Sequence, residues 1–451
     1  MGYVLMEHQK NALAMMEYNP YLGLFISPGG GKTAIALTWI KEHLESGDIQ
    51  EALVICPASL TEMWRQSIDG MMKFEGWSEE SVGMVKDAVT ISSVSRIYQA
   101  ESRQIAHRDG NTANKRTYRV RDELDKVWDA IFVDESHTIG SHSSIQSKTA
   151  ITLSFHAKHR YIMTGTPVSG SSKDGADYSK LYGQIQFLTQ GKEWRNWTDF
   201  CGKAVVSFDK FYKPYRYNKP YCESVMKKCA IVARLEDFVD MPGFVESTIP
   251  CTLAEKKVYK DITQHCLEDY GLDETVAGMS FIRLLQICSG SLKNDVETMT
   301  FKCSKDDALR DILDGTDDSV VIFCNFTASV DRCMDICKKA GRKPMGFDGR
   351  SKKDSWKDFT SGKCDTIICQ YQSGGAGLNL QNSSTMVFFE PTLSTLNLEQ
   401  AKGRIYRKGQ ERKCIYHYLS TPSTVEKRVW DSVRNGVDVT NAMLAQWASE
   451  K

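Results

Sequence analysis

Leu22-Gly23-Leu24-Phe25-Ile26-Ser27-Pro28-Gly29-Gly30-Gly31-Lys32-Thr33 reads as a short apolar strand that runs into a glycine turn ending in lysine and threonine. Thr33 to Leu44 continues as an apolar helix. A turn of this kind wraps successive backbone N–H groups around phosphate oxygens, and the helix N-terminus behind it favours an anion. Gly29, Gly30 and Gly31 would supply the close backbone approach, Lys32 would contact the β and γ phosphates, and Thr33 would ligate Mg²⁺. Ile26 stands where the general phosphate-loop pattern has glycine. The order strand, loop, helix therefore carries the assignment, against a plain glycine turn with an incidental lysine.

Working outward, a second apolar run, Ala130 to Val133, ends in Asp134-Glu135-Ser136-His137. At the carboxyl end of a neighbouring parallel strand, Asp134 can hold Mg²⁺, directly or through water, and Glu135 can align or deprotonate an attacking water. Two adjacent carboxylates are costly unless a cation offsets them. His137 either senses the γ phosphate or caps local structure. Thr164-Gly165-Thr166-Pro167 follows a third run, Tyr161 to Met163, and the hydroxyls of Thr164 and Thr166 are within reach of the acidic motif as a coupling element.

The second half repeats the alternation of strands and helices without visible sequence repetition. Its strand candidates are Val320 to Phe323, Thr366 to Cys369, Met386 to Phe389 and Ile415 to Leu419, against Leu22 to Ile26, Leu53 to Cys56, Ala130 to Val133 and Tyr161 to Met163 in the first half. This is the pattern of parallel α/β domains. Helices are expected at Leu60 to Ile68, Ser329 to Lys339 and Thr424 to Val433. Within Gln400 to Gln410, Arg404 and Arg407 share a face if the segment is helical, and their guanidinium groups would stabilise charge as a phosphoryl group transfers. Which of the two lies nearer the γ phosphate stays open. Ser373-Gly374-Gly375-Ala376-Gly377 offers close backbone approach to a ligand, or is a strained loop.

A chain of 451 residues has room for two cores. With 57 basic and 57 acidic side chains, only local patches can attract nucleic acid. Between Lys203 and Arg234 the sequence Phe211-Tyr212-Lys213-Pro214-Tyr215-Arg216-Tyr217-Asn218-Lys219 interleaves cations with aromatic rings, a composition suited to phosphates and exposed bases; the alternative is a solvated loop packed on the first domain. Arg103, Arg108, Lys115, Arg116, Arg119 and Arg121 form another basic stretch, which samples DNA or is merely a soluble loop. No long apolar run suggests a membrane span, and the start MGYVLMEHQK does not read as a secretory leader. The scattered cysteines, Cys56, Cys324 and Cys369 among them, are expected as buried free thiols.

In this order, the motifs resemble those of helicase superfamily two, and particularly its Snf-type DNA translocases, over nearly the whole chain. Arg234 to Pro242 is similar to the stretch that links the family's lobes, and Arg407-Lys408-Gly409-Gln410 to its closing motif. The resemblance implies an α/β fold of two tandem RecA-like parallel-sheet domains with a nucleotide cleft between them: 1–240 with a basic aromatic insertion near 203–234, a linker at 241–252, and 253–451 with C-terminal helices. It implies adenine contact by Gln9, cofactor contacts by Gly375 and Gly377, coupling through Gln400, and DNA contacts by Pro57, Ser59, Trp64, Ser373 and Gly374. It further implies ATP and Mg²⁺ as cofactors, a monomeric intracellular enzyme, and duplex, forked or branched DNA as partner. An RNA or single-strand helicase and a nucleotide-regulated DNA adaptor are the competing readings.

Overall fold

The computed structural model describes residues 3–106, 112–168, 176–209, 212–238, 240–253, 255–268, 274–293, 298–352, 354–374, 378–440, 443 and 447, without the side chains of 102–116, 235, 264–280 and 374. The chain divides into two compact units, one holding 1–168 and 177–239 and the other holding 169–176 and 240–451.

In the first unit, runs of Leu, Ile, Val and Phe without polar alternation make strands buried on both faces, as a parallel sheet under helices requires. The strands are β1 (Tyr21–Ile26), β2 (Ala52–Cys56), β3 (Val89–Ser93), β4 (Tyr98–Ala106), β5 (Thr112–Val120), β6 (Trp128–Asp134), β7 (Ala157–Met163), β8 (Val205–Phe208), β9 (Pro214–Tyr217) and β10 (Ala230–Ala233). Six of them form one sheet in the order β10-β1-β7-β6-β2-β3, and every pairing in it is parallel. Placing β7 and β6 between β1 and β2 brings the turns after β1, β7 and β6 side by side at the carboxyl edge, where ligands of open α/β sheets bind. The basic segments form two antiparallel hairpins, β4–β5 and β8–β9.

The second unit contains β11 (Phe244–Pro250), β12 (Ser291–Lys293), β13 (Thr298–Thr300), β14 (Val320–Cys324), β15 (Pro344–Phe347), β16 (Thr366–Gln370), β17 (Thr385–Phe388) and β18 (Cys414–Ser420). Its main sheet is parallel throughout, in the order β11-β18-β17-β14-β16-β15. Two apolar layers cover it: Phe323, Tyr371, Phe388, Tyr418 and Trp430 on one face, and Leu309, Ile322, Val330, Ile336 and Val387 on the other. Cys324 and Cys369 are free thiols within these layers, and Cys56 is one in the first unit's core. A buried ion pair ties the layers: the Lys305 ammonium donates to the Phe389 carbonyl at 2.7 Å and to the Glu426 carboxylate. Burial opposes the Lys305 charge, but Glu426 beside it holds the ammonium above the ordinary lysine value.

The expected linker at 241–252 is corrected here. Phe244–Pro250 pairs along its whole length with Cys414–Ser420 as an edge strand of the second sheet, because an edge strand accepts a half-exposed, partly polar sequence that carries no core signal. Among the described residues, no helix is long and apolar enough to cross a membrane.

Candidate functional site

The phosphate loop is held open by two left-handed glycines, Gly29 with φ 84° and Gly31 with φ 79°. At Gly31 the reason is also spatial: a Cβ would lie 1.9 Å from the Gln9 side-chain nitrogen. Gly31 caps the helix Lys32–Ser46, which sets Thr33 in its first turn, half-buried. The Lys32 ammonium donates to the carbonyls of Ile26 at 2.6 Å and Ser27 at 3.4 Å, so the lysine lies along the loop it would serve. Gln9 reaches the same loop from the first helix, donating to the Gly30 carbonyl at 3.3 Å while accepting the Met6 N–H at 2.8 Å. His8 bonds to the Gly30 carbonyl at 2.8 Å and stacks on Phe238 at 3.6 Å between centroids. Phe238 was not read from the sequence; nothing local marks it.

Asp134 closes β6 and is buried. Burial first, and the neighbouring Glu135 charge second, push its carboxyl up to about 6, against the Trp64 hydrogen bond and the Lys32 charge, which lower it. Trp64 is corrected accordingly. It was expected at a DNA surface, but its ring is fully buried and its indole N–H donates to Asp134 Oδ2 at 2.9 Å. It faces inward because the helix Thr61–Gly70 turns its one apolar stripe, with Trp64 and Ile68, to the core. Pro57 and Ser59 precede that helix, half-buried and exposed.

Glu135 adopts φ 47°, a left-handed backbone uncommon for a side-chain-bearing residue. Its carboxylate accepts the Thr164 hydroxyl at 3.2 Å and lies 3.3 Å from His137 Nδ1. His137 Nδ1 is also 3.2 Å from the Thr164 hydroxyl, which accepts the Thr166 N–H at 3.1 Å. Thr164 thus closes a ring of contacts with Glu135 and His137, and Thr166 reaches it through its backbone N–H to Thr164. Gly165 packs against Pro28 so closely that a Cβ would lie 2.8 Å from Pro28 Cδ, which seats this turn on the phosphate loop. A residue outside every recognised motif joins in: Gln184, fully buried, accepts the Ser136 hydroxyl at 2.8 Å and donates to the Pro167 carbonyl at 2.8 Å. A glutamine inside the apolar run Leu181-Tyr182-Gly183-Gln184-Ile185 was the available signal.

In the second unit, Arg404 and Arg407 do not share a helix face. The helix Thr395–Lys402, which carries half-buried Gln400, ends at Gly403, and the arginines lie in the turns beyond. They converge nonetheless: each donates to the Leu378 carbonyl, at 3.4 and 3.2 Å. Burial lowers the Arg407 guanidinium from its ordinary value. Gln410 pins the turns by donating to the carbonyls of Gln381, Ser383 and Ile405. Ser373 and Gly374 end a short helix, Tyr371–Gly374; Gly375 and Gly377 lie outside the described residues.

The basic aromatic segment is divided. Lys213, Tyr215, Arg216 and Lys219 are exposed, and Tyr212 is 88% exposed. Tyr217, expected to contact nucleic acid, instead turns inward and donates to Asp177 at 2.6 Å, and Tyr221 accepts the Trp194 N–H at 2.8 Å. Within β9, Arg216 is exposed and its neighbour Tyr217 is half-buried, as residues on opposite faces of a strand can be. Lys219 lies 3.8 Å from Glu223. The side chains of Arg103, Arg108, Lys115 and Arg116 lie outside the described residues; Arg119 and Arg121 are paired with Asp122 and Glu123.

A glycine loop ending in lysine and threonine, an acidic pair two strands away, and a hydroxyl-bearing turn joining them define a nucleoside triphosphatase of the helicase class. The description "SNF2-related domain" fits residues 8–265, and "Helicase conserved C-terminal domain" fits residues 304–409. The chain belongs to the SNF2-related family and is an ATPase of that class. It is 22% identical to an uncharacterized ATP-dependent helicase, YqhH, of Bacillus subtilis, over 89% of this chain and 72% of that protein. It is 22% identical to the DNA repair protein rhp54 of Schizosaccharomyces pombe and 23% identical to the DNA repair and recombination protein RAD54-like of Danio rerio, each over 89% of this chain. The chain spans only 53% and 60% of those two proteins. A solved SWI2/SNF2 ATPase core from Sulfolobus solfataricus, in complex with dsDNA, aligns over 99% of this chain and 95% of its own at 18% identity and a TM-score of 0.41.

Proposed function

We propose that this chain hydrolyses ATP to move along duplex DNA, and that the movement remodels forks or branched junctions. The observation that supports it best is the ring joining Glu135, His137 and Thr164 beside the Lys32 loop: the residue assigned to the water is bonded to a turn that can report its state. In this reading Lys32 and the N–H groups of Gly29 to Gly31 bind the β and γ phosphates, and Gln9 turns from Gly30 to the adenine. Thr33 and Asp134 offer hard oxygen donors suited to Mg²⁺, and a buried carboxylate raised by desolvation fits a site completed by a cation. Mg²⁺ there would neutralise charge on the phosphate oxygens. Glu135 orients and deprotonates the attacking water, and Arg404 and Arg407 stabilise charge on the transferring group.

DNA as the track is supported by the relatives named for DNA repair and by the exposed cations and rings of the β8–β9 hairpin, with a solvated monomer as the working unit. The test is ATP hydrolysis with duplex DNA, single-stranded DNA and RNA, paired with displacement of a third strand from duplex DNA and with fork and four-way junction substrates. Duplex-stimulated hydrolysis with third-strand displacement is expected. Stimulation by RNA or single strands alone would transfer the assignment to a strand-separating helicase, and binding without turnover to an adaptor.

A further inference from the structure

Ser136 and Pro167 belong to two different motif loops, and one buried side chain outside both of them spans the gap. Gln184 sits in the first turn of the helix Leu181–Thr189 and is 0% exposed. Its carbonyl oxygen accepts the Ser136 hydroxyl at 2.8 Å, while its amide donates to the Pro167 carbonyl at 2.8 Å and to the Lys180 carbonyl at 2.9 Å. Ser136 is itself fully buried. The helix start has no slack against the acidic loop: the Gly183 N–H donates to the Gly140 carbonyl at 3.0 Å, and a Cβ on Gly183 would lie 2.0 Å from the Ile139 carbonyl oxygen.

Two routes therefore connect the acidic loop with the 164–167 turn. One runs directly from Glu135 and His137 to Thr164. The other runs from Ser136 through the Gln184 amide to Pro167. With both in place, the two loops and the helix form a closed frame, so displacement of the 164–167 turn has to move the acidic loop with it. An apolar side chain of the same volume would fill the space but leave the buried Ser136 hydroxyl and the Pro167 carbonyl without this partner.

We propose that Gln184 is a positioning residue that makes ATP turnover responsive to DNA, by locking the Thr164–Pro167 turn to the acidic loop at Ser136. This rests on the assignment of a DNA-stimulated ATPase made above. Gln184 touches neither the phosphate loop nor Glu135 through any of its three bonds, so its effect falls on coupling and not on nucleotide capture.

The experiment uses the full chain with Gln184→Met, which keeps the volume and removes all three bonds, with Ser136→Ala, which cuts the same route from its other end, and with the double variant. Hydrolysis is measured with and without duplex DNA, and kcat and KM for ATP are separated. The ratio of DNA-stimulated to basal turnover is expected to fall about tenfold in each single variant, in the range for removal of a coupling interaction, while KM for ATP stays within about twofold. The double variant is expected to be no worse than either single one, since they cut one route. Basal and stimulated rates falling together, or a ratio within about twofold of the parent protein, would overturn the proposal, as would fully additive effects. If Gln184→Met fails to fold, Ser136→Ala carries the same test. An unsubstituted protein whose turnover does not respond to DNA would instead overturn the assignment beneath it.

Discussion

Replacing Trp64 with Phe removes one hydrogen bond from the buried carboxylate of the site and leaves an aromatic ring in its place. Trp64 donates to Asp134 Oδ2 at 2.9 Å inside the core, where burial and Glu135 already push Asp134 up to about 6. A hydrogen bond to a charged group contributes about 1.5–3 kcal/mol, equivalent to about one to two pKa units at about 1.4 kcal/mol each. The bond favours the ionised carboxylate, so its loss moves Asp134 further up, toward and past neutrality. Cation binding needs that ionised form. Activity is therefore lost as pH falls through the Asp134 value, and the loss begins at higher pH in Trp64→Phe. The assay is kcat/KM for ATP between pH 5 and 9 at saturating duplex DNA, because the acid limb of kcat/KM reports the free enzyme. The limb is expected to shift upward by about one to two units, with lower apparent Mg²⁺ affinity at pH 7. A thermal melt accompanies it, since partial truncation of a buried ring should cost less than the about 3–5 kcal/mol of a full Trp→Ala change. A stable variant whose acid limb coincides with that of the parent would refute the assignment of Trp64 and of Asp134 as the titrating group.

Lys305→Met leaves the Glu426 carboxylate buried without its cation and is expected to lower unfolding free energy by about 3–5 kcal/mol in urea titration, whereas joint replacement of Lys305 and Glu426 by apolar residues should recover most of it. In the β8–β9 hairpin, Lys213→Ala with Arg216→Ala should weaken duplex binding and flatten its salt dependence by about one unit of log–log slope for each phosphate no longer neutralised. Tyr217→Phe, which removes the inward hydroxyl and with it the bond to Asp177, should leave that slope unchanged.

The parts of the fold legible in sequence were those whose signal is local. β1, β2, β6 and β14 are apolar runs buried on both faces, and each reads as a strand without reference to the rest of the chain. β11 escaped because Phe244 to Pro250 is an edge strand with no fully buried residue, which removes the apolar signature. In the site, Lys32 follows β1 through the glycine loop and Asp134 and Glu135 lie at the end of β6, so local pattern and chain order marked them. Trp64 and Gln184 act across contacts separated by 70 and 48 residues, which no local pattern encodes. Gly403 was a readable helix stop, and taking it as one would have removed Arg404 and Arg407 from a helix face while leaving their convergence on Leu378 to be found in the structure.

Glu135→Gln tests the central claim most directly, because it keeps the shape of the residue bonded to Thr164 and removes its charge and its capacity to take a proton. ATP binding and ATP turnover are measured on the same preparation, with saturating duplex DNA. Retained binding with turnover reduced about 10²- to 10⁴-fold is the predicted result. Turnover equal to that of the unsubstituted protein would contradict the account.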